Sequence, residues 1–449
     1  MQKINISEIK WIPDIYPRKK WNTDTINRFV DALVAGEQFP PLVLEEETNI
    51  LLDGKHRIEA YKKAEIIEIP VEWHKIPTGM SAKYYAATLS ARHGDRLSNA
   101  DIKDLALIEF EANPRLDPTI WGKGLGVSQR TVYRWVSHIL EREKVSREAK
   151  AWRLSMLGWT QEEIGERLGI DQSAISRDMQ NCHLAKIHNA LPEGWNDKGI
   201  AEVASRLNLP LTDAMAAAMQ EMDDIERFER LGIKSQPYDV WHFSDCHDLM
   251  GDEYPGRIPG QLICHVLYFY TKPGDLVLDP MVGSGTTLDA CLLMGRKARG
   301  YDTVETERID IENHNLSDGW PDKAKKADLI FWDPPYFDKK DKEYNEHSIS
   351  KLDHKSYLSF FSECLKELYK QTKLDAKLAF LMSDWNDEND DGIFVWDYAK
   401  IIESSGWKLI RQIQTPLSTQ QVHPDIVNKF RESRKLARLN RYLLMARKS

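Results

Sequence analysis

The sequence predicts a multidomain protein with a small α/β domain, an all-α middle region and a C-terminal α/β domain. Three observations predict this fold class. Strand-like and helical segments mix in residues 1–78, helical patterns fill residues 79–235, and strands alternate with helices in residues 236–449. Such alternation is typical of a doubly wound parallel sheet. A chain of 449 residues is long enough for two to four domains.

Composition narrows the class of protein. With 42% hydrophobic and 29% charged residues, the chain is typical of globular proteins. It contains no apolar stretch long enough to span a membrane, and its start, MQKINISEIKW, lacks the apolar core of a signal peptide. We therefore expect a cytoplasmic protein with no membrane partner. The cysteines lack CxxC spacing, so we expect neither a metal site nor a disulfide framework and interpret them as buried: Cys182, Cys246, Cys264, Cys291 and Cys364.

The net charge of −9 does not by itself indicate a nucleic-acid partner. A basic face can nevertheless coexist with acidic helices elsewhere in the chain. The tail, residues 429–448, is rich in Arg and Lys and suits a solvated terminal helix or a contact with phosphate.

In the first domain the pattern passes from strand to helix at Gly54, within ILLDGKHRIEAYKKA. The new helix would begin with Lys55, His56 and Arg57. Free backbone N–H groups and basic side chains at a helix start favour anions. These four residues are therefore a candidate anion site.

The middle region contains a helix-turn-helix pattern in WTQEEIGERLGIDQSAISRDMQ. Thr160 and Glu163 form a capping box, Gly169 provides the turn, and Asp171 can cap a second helix. The outward side chains of that helix suit base edges and phosphates in the DNA major groove: Gln172, Ser173, Ser176 and Arg177. The alternative is a helical hairpin that serves only packing.

An earlier copy, LGVSQRTVYRWVSHI, would begin its second helix after Ser128 and pack through Val132 and Val136. Its outward residues, expected to contact DNA, are Gln129, Arg130, Tyr133 and Arg134. A third candidate, GIAEVASRLNLPLTDAMAAAM, presents few basic or amide groups, so we interpret it as packing. The predicted helical regions are residues 79–146 and 147–235, and GIKSQPYDVWHF marks the boundary with the last domain.

The last domain opens with GDLVLDPMVGSGTTLDACLLMGRKARGYDT. A strand ends at Asp279, a glycine turn follows, a capping box of Thr286 and Asp289 begins a helix, and a second strand ends at Asp302. The glycines let the backbone approach a ligand, and an acid at the second strand end can bind ribose hydroxyls. The turn lacks the third glycine of GxGxxG, and Asp279 would repel a pyrophosphate. It would attract the cationic amino acid portion of S-adenosylmethionine.

A second segment, DLIFWDPPYF, reads as a buried parallel strand ending in Asp333, Pro334, Pro335 and Tyr336. LDPMVGSGTT followed by DPPY resembles the Rossmann-like amino-methyltransferases that modify adenine N6 or cytosine N4 in DNA. The resemblance covers residues 237–449. It implies S-adenosylmethionine binding by the first motif: Asp279, Pro280, Met281, Gly283, Ser284, Gly285, Thr286 and Asp302. YPGRIPGQLICHVL is similar to the family's segment that closes over the methionine end of the cofactor. Asp318 matches the family's acid that contacts the adenine of the cofactor.

The resemblance implies that the DPPY residues hold the target base. Asp333 and the Pro334 carbonyl would accept the two amine hydrogens, with prolines keeping both acceptors rigid. Tyr336 would stack on a base flipped out of the duplex. DPPY favours adenine N6, but cytosine N4 stays open. No long target-recognition insert fits between the motifs; FDKKDKEYNEHSISKLDHKSY and PLSTQQVHPD are polar loops that suit DNA contact or simple connection.

Residues 4–76 resemble the amino-terminal domain of ParB, a fold shared with sulfiredoxins. The resemblance implies a nucleotide triphosphate at Gly54, Lys55, His56 and Arg57; the alternative is a module for dimerisation or DNA bridging. We therefore expect a DNA-associated methyltransferase with double-stranded DNA as partner, and a homodimer stays open. A ParB-like partition or regulatory protein with a non-catalytic methylase domain is the alternative. RNA is disfavoured because helix-turn-helix units suit the DNA major groove.

Overall fold

The computed structural model describes residues 2–16, 22–92, 97–191, 196–253, 256–337, 349–386, 392–416, 424–432, 436 and 439–449. The chain divides into two compact units, Met1–Lys144 and Val145–Ser449. The division falls close to the predicted boundary at 146/147 and lies within a single long helix.

Unit 1 begins with a small α/β fold. Its elements are β1 (Gln2–Asn5), α1 (Thr23–Val34), β2 (Leu42–Glu45), β3 (Leu51–Asp53), α2 (Lys55–Lys63) and β4 (Glu68–His74). The strand order is β1-β4-β2-β3, in which β2 and β4 are parallel and the other pairs antiparallel. The predicted change from strand to helix at Gly54 is confirmed: this residue has φ +107° and caps α2.

Helices fill the rest of unit 1: α3 (Ala82–Arg92), α4 (Asn99–Ala112), α5 (Pro118–Gly124) and α6 (Gln129–Met156). Their core contains Phe110, Trp121, Val132 and Val136, all buried. The packing of α6 through Val132 and Val136 is as the sequence predicts. The predicted cap, Ser128, accepts a hydrogen bond from the backbone N–H of Thr131 at 3.3 Å.

Unit 2 opens with short helices: α7 (Gln161–Leu168), α8 (Gln172–Asn181), α9 (Ile187–Ala190), α10 (Asp197–Leu207), α11 (Leu211–Ala218) and α12 (Asp224–Arg230). The predicted capping box of Thr160 and Glu163 begins α7, Gly169 ends it at φ +66°, and Asp171 caps α8. Residues 213–217 of α11 are buried, in line with its interpretation as a packing helix.

The remainder of unit 2 is a sheet with flanking helices. Its elements are α13 (Gly260–Tyr270), β5 (Leu276–Asp279), α14 (Thr286–Leu293), β6 (Lys297–Asp302), β7 (Ile311–Asn313), β8 (Leu329–Trp332), α15 (His354–Gln371), β9 (Lys377–Met382), β10 (Trp385–Asn386), β11 (Gly392–Ile393), α16 (Val395–Ser404), β12 (Lys408–Gln414), α17 (Pro424–Glu432) and β13 (Tyr442–Arg447). The main sheet has the order β12-β13-β9-β8-β5-β6-β7, and β10 pairs with β11 separately.

The predicted doubly wound parallel sheet is present over β7 to β9 but ends in antiparallel strands at one edge. β13 is antiparallel to both β9 and β12, so the sheet is mixed. Neither interpretation of the C-terminal tail foresaw this strand. Its residues 443–446 are buried because both faces of a strand inside this sheet are covered.

The predicted boundary at 235/236 does not separate compact units. One hydrophobic core runs from α6 and α7 through α11 and into the sheet. Trp241, within the expected boundary segment, is buried, and the chain there pairs with Gln414 at the end of β12. The helices preceding the sheet are therefore part of its fold.

All five cysteines are free; four are buried and Cys246 is half-buried. None of the helices formed by the residues that the structure describes is long and apolar enough to cross a membrane.

Candidate active site

The two predicted motifs meet where the strand order reverses. From β5 the chain proceeds outward to β6 and β7, whereas β8 lies on the other side of β5 and leads to β9. Leu278 of β5 pairs with Ile330 of β8, so Asp279 and Asp333 emerge at the same sheet edge. Such switch points are where open α/β sheets bind ligands. A cavity of about 450 Å³ opens there.

The cavity brings together most of the predicted site residues. Those that line it are Asp279, Pro280, Met281, Gly283, Ser284, Thr286, Asp302, Asp333 and Pro335. Gly285, Pro334, Tyr336 and Asp318 do not line it. Residues 256–258, from the segment predicted to close over the cofactor, also contribute; Tyr254 and Pro255 of that segment lie outside the described residues.

Two carboxylates shape the glycine turn and give the cavity negative character. Asp279 is buried and accepts hydrogen bonds from the Met281 N–H at 3.0 Å and the Thr287 hydroxyl at 2.6 Å. Asp302 accepts from the Gly283 N–H at 2.9 Å. Burial raises the pKa of Asp279 to about 7, and the nearby carboxylates of Asp333 and Asp302 add to the shift. A cationic ligand would relieve this repulsion.

The two glycines of the turn have different surroundings. Gly283 has φ +51° and lines the cavity, as expected for close approach to a ligand. Gly285 has φ +83°, and a Cβ there would overlap the Arg308 guanidinium. The predicted capping box of Thr286 and Asp289 is wrong: Gly285 caps α14 without a side-chain bond. Asp289 instead accepts from the distant Gly251 N–H and from Arg308, because tertiary partners outcompete the local cap.

A buried charge cluster supports the turn from behind. Arg308 donates to the Ser284 carbonyl at 3.0 Å and pairs with Asp289 and Asp310 at 2.9 Å. Arg153, at the end of α6, pairs with Asp289 and Asp310 and also with Asp213 of α11. Removing one partner from such a cluster costs about 3–5 kcal/mol, since the others are left buried and uncompensated. The cluster therefore fixes the helical segment and the glycine turn together.

The DPPY segment is held by two tyrosine hydroxyls. Tyr336 donates to the Asp333 carboxylate at 3.0 Å, which orients that side chain. Tyr357 of α15, itself buried, donates to the Pro335 carbonyl at 3.0 Å. The indole N–H of Trp332, at the end of β8, lies 3.4 Å from the Met281 sulfur and so joins the two motifs. Asp333 is thus presented to the cavity from a braced turn.

The cavity also contains residues that the sequence analysis missed. Asn313, Asn315 and Ser317 line it, whereas Asp318, the predicted adenine-contacting acid, is exposed outside it. Their position at the carboxyl end of β7 is the same signal that identified Asp279 and Asp302. Phe360 of α15 also lines the cavity, and no local pattern predicts it, since tertiary folding alone brings α15 there.

The structure exposes most of the predicted DNA-contacting side chains. On α6 these are Gln129, Arg130, Tyr133 and Arg134. On α8, Gln172, Ser173 and Arg177 are exposed, and Ser176 is half-buried. Most of each polar loop considered for DNA contact lies outside the described residues, namely 338–348 and 417–423.

The candidate anion site on α2 is largely engaged by the protein itself. Lys55 is only 8% exposed and lies over the Tyr16 ring, 3.8 Å from its centroid. Burial lowers the pKa of Lys55 to about 8. Arg57 donates to the Pro40 carbonyl at 2.7 Å and pairs with Asp53 at 2.7 Å. His56 accepts from the Asn22 N–H at 3.3 Å. Lys55, His56 and Arg57 thus each have a partner among the described residues of unit 1.

Comparison with known proteins identifies the family. The model of the DNA methylase family, N6_N4_Mtase, matches residues 204–312 and 327–449, just over half of the chain. The chain belongs to this DNA methylase family, and its cofactor is S-adenosylmethionine. The site fits that group: its carboxylates favour the cationic amino acid portion and the sulfonium, and its volume is in the range of pockets that hold molecules of drug size. The match begins at 204 and so includes helices that precede the sheet.

Two curated relatives match shorter stretches. The type II methyltransferase M.BglII of Bacillus subtilis is 36% identical over 93 residues, covering 20% of this chain and 25% of its own length. The DNA adenine methyltransferase YhdJ of Escherichia coli is 36% identical over 87 residues, covering 17% of this chain and 29% of its own. The chain thus spans 25% of the length of one relative and 29% of the other.

Among solved structures, the chain is similar to an S-adenosylmethionine-dependent methyltransferase from Archaeoglobus fulgidus. The sequence identity is 15% and the TM-score 0.27, over 42% of this chain and 93% of that one.

Proposed function

We propose that the protein is a site-specific DNA methyltransferase that transfers a methyl group from S-adenosylmethionine to an exocyclic amine of a flipped base. One observation carries the proposal. The glycine turn between Asp279 and Thr286 and the braced acid Asp333 line the same cavity at the switch point of the sheet.

The chain's own residues would act on the amine. An exocyclic amine is a weak nucleophile because its lone pair is delocalised into the ring, so it must be drawn toward tetrahedral geometry. Asp333 accepts one amine hydrogen, and the Pro334 carbonyl accepts the other. The Pro335 carbonyl accepts instead from Tyr357, which fixes the turn. Acceptors fixed before reaction need no reorganisation, which is the source of their effect on rate. When bound, the cofactor supplies an electrophilic methyl group.

We assign stacking on the flipped base to the ring of Tyr336. Its hydrogen bond to Asp333 supports this role, because it keeps the ring beside the group that receives the amine. Adenine N6 is our preferred target over cytosine N4. The first residue of the DPPY motif and the similarity to the adenine methyltransferase YhdJ both support that preference.

Double-stranded DNA is the proposed partner, and the N-terminal half of the chain is proposed to contain the surface that docks it. We assign unit 1 this role rather than nucleotide binding, because Lys55 and Arg57 are engaged within the protein. A regulatory protein with a non-catalytic methylase domain would have no need of an oriented Asp333 facing the cofactor turn. The geometry therefore favours the enzyme.

Asp333→Ala separates catalysis from cofactor binding. We expect methyl transfer to oligonucleotides to fall by about a hundredfold or more, as for loss of a preorganised acceptor. Cofactor affinity, measured by calorimetry, should change little, because Asp333 is one of several groups around the cavity. Asp333→Asn is the matched variant that keeps size but removes charge. Near-normal turnover in Asp333→Ala would refute the proposed mechanism.

A further inference from the structure

We infer that the two predicted reading helices have different roles: the outer face of α6 docks duplex DNA, whereas the α7 and α8 pair braces the methylase fold. The inference rests on the proposed function for its choice of DNA as partner. The sequence pattern predicts DNA contact for both α6 and α8, and the inference assigns it to α6 alone.

The outer face of α6 presents exposed basic side chains that could contact phosphate. Arg130, Tyr133 and Arg134 lie three and four positions apart, so they share one side of the helix, opposite the buried Val132 and Val136. Tyr133 is 52% exposed. Neither arginine forms an ion pair or hydrogen bond with another described residue. Two unpaired guanidinium groups beside an exposed aromatic ring complement the charge and base edges of duplex DNA.

The polar side chains of α8 are bound locally instead. The Gln172 amide donates to Gln161 at 3.4 Å, and the Ser173 hydroxyl donates to Asp171 at 2.5 Å. Arg177 donates to the Ser173 carbonyl of its own helix at 3.3 Å. These bonds hold the three side chains close to their own helix and its cap. Asp171 also places a carboxylate at the start of the helix, where a phosphate would be repelled.

Two charged groups of α7 contact the methylase sheet and the segments beside it. Glu163 pairs with Arg299 of β6 at 2.9 Å and also with Lys323. Arg167 donates to the carbonyl of Ile309 at 2.9 Å and to that of Ile311, at the start of β7. Glu163 and Arg167 are thus both engaged at the edge of the sheet. They hold α7 against β6 and β7, which is what a brace requires.

The two faces therefore predict different salt dependence. Each phosphate contact contributes about 0.9 to the slope of log affinity against log salt for B-form DNA. If both α6 arginines contact phosphate, replacing them should lower the slope by about 2. Replacing Arg177 should leave the slope unchanged, because α8 is assigned to the brace and makes no phosphate contact.

The test uses the full chain and a fluorescently labelled duplex of about thirty base pairs, with anisotropy measured over a series of salt concentrations. We expect Arg130→Ala with Arg134→Ala to weaken binding at least tenfold at low salt and to flatten the slope by about 2. Arg130→Lys with Arg134→Lys should restore most of the slope, which excludes misfolding as the cause. Arg177→Ala should bind within twofold of the wild type.

Two outcomes would overturn the inference: unchanged binding by the double alanine variant, as for a face that serves another protein, or an equal loss in Arg177→Ala. Tritium transfer from labelled S-adenosylmethionine to DNA, measured on the same preparations, separates this inference from the proposed function. If the wild-type protein binds DNA through α6 but transfers no methyl group, only the proposed function is refuted. If methyl groups are transferred but the double alanine variant keeps the wild-type salt slope, only the docking assignment is refuted.

Discussion

Tyr357→Phe removes a single hydroxyl from behind the proposed catalytic turn. In the native protein that hydroxyl donates to the Pro335 carbonyl at 3.0 Å from a fully buried position on α15. Burial raises the pKa of Tyr357 well above its ordinary value, with a further contribution from Tyr398, so the group stays a neutral donor. The substitution keeps the ring, whose centroid lies 4.9 Å from that of Phe361.

The expected magnitude follows from the carbonyl left behind. Pro335 is half-buried, so leaving its carbonyl without a donor costs at most what a fully buried acceptor costs, about 1–3 kcal/mol. If that energy is expressed as displacement of the acceptors from the geometry needed in the transition state, the rate falls about 5-fold to 150-fold, at about 1.4 kcal/mol per tenfold. Cofactor affinity should be unchanged, because Tyr357 does not line the cavity.

Single-turnover methyl transfer with saturating DNA is the appropriate assay, together with calorimetric cofactor binding. Tyr369→Phe is a matched control on the same helix, since the Tyr369 hydroxyl donates to the Ser449 carbonyl at the end of the chain. We expect the control to react at the wild-type rate. A Tyr357→Phe variant that reacts equally fast, even if it melts earlier, would refute the positioning role.

Three further predictions follow from the site and from unit 1. Because the raised pKa of Asp279, about 7, must fall when a cation binds, cofactor affinity should rise about fivefold from pH 6 to pH 7, below the range in which an α-amino group loses its proton. Calorimetry on Asp279→Asn should give a flat profile over that range, and an affinity that falls with pH would contradict the assignment. Gly285→Ala should destabilise the protein and weaken cofactor binding more than Gly274→Ala, since both glycines have positive φ but a Cβ at Gly274 meets no neighbour; equal thermal midpoints and affinities would count against the Arg308 contact. Arg57→Ala should lower the unfolding transition of unit 1 without altering equilibrium dialysis of nucleoside triphosphates; loss of a wild-type nucleotide affinity at unchanged stability would restore the nucleotide site.

Sequence reasoning succeeded where the deciding interactions are local. The capping box of Thr160 and Glu163 and the turn at Gly54 depend on residues within a few positions of each other. Asp279, Asp302 and Asp333 could be grouped because carboxyl ends of parallel strands meet at one sheet edge. The spacing of residues along the chain is enough to predict these features.

Sequence reasoning failed where residues distant in the chain determine the hydrogen bonds and ion pairs of a side chain. The capping box expected from Thr286 and Asp289 does not form, because Asp289 is used by Arg308, Arg153 and Gly251. Arg57, expected to hold an anion, donates to the carbonyls of Pro40 and Pro41, which precede it by seventeen and sixteen positions. β13 was missed because its basic flanks masked a short apolar run. None of these partners can be identified from local pattern.

The most direct test of the central claim is mass analysis of nucleosides from duplex DNA incubated with the full chain and S-adenosylmethionine. The DNA should contain a random assortment of sequences, so that the target site need not be known. We expect N6-methyladenine to appear with the wild type and to form about a hundredfold more slowly, or slower still, with Asp333→Ala, while both proteins bind the cofactor. N4-methylcytosine instead would correct only the base preference. Cofactor binding by the wild type with no methylated nucleoside of either kind would contradict the assignment of Asp333 and the glycine turn to DNA amine methylation.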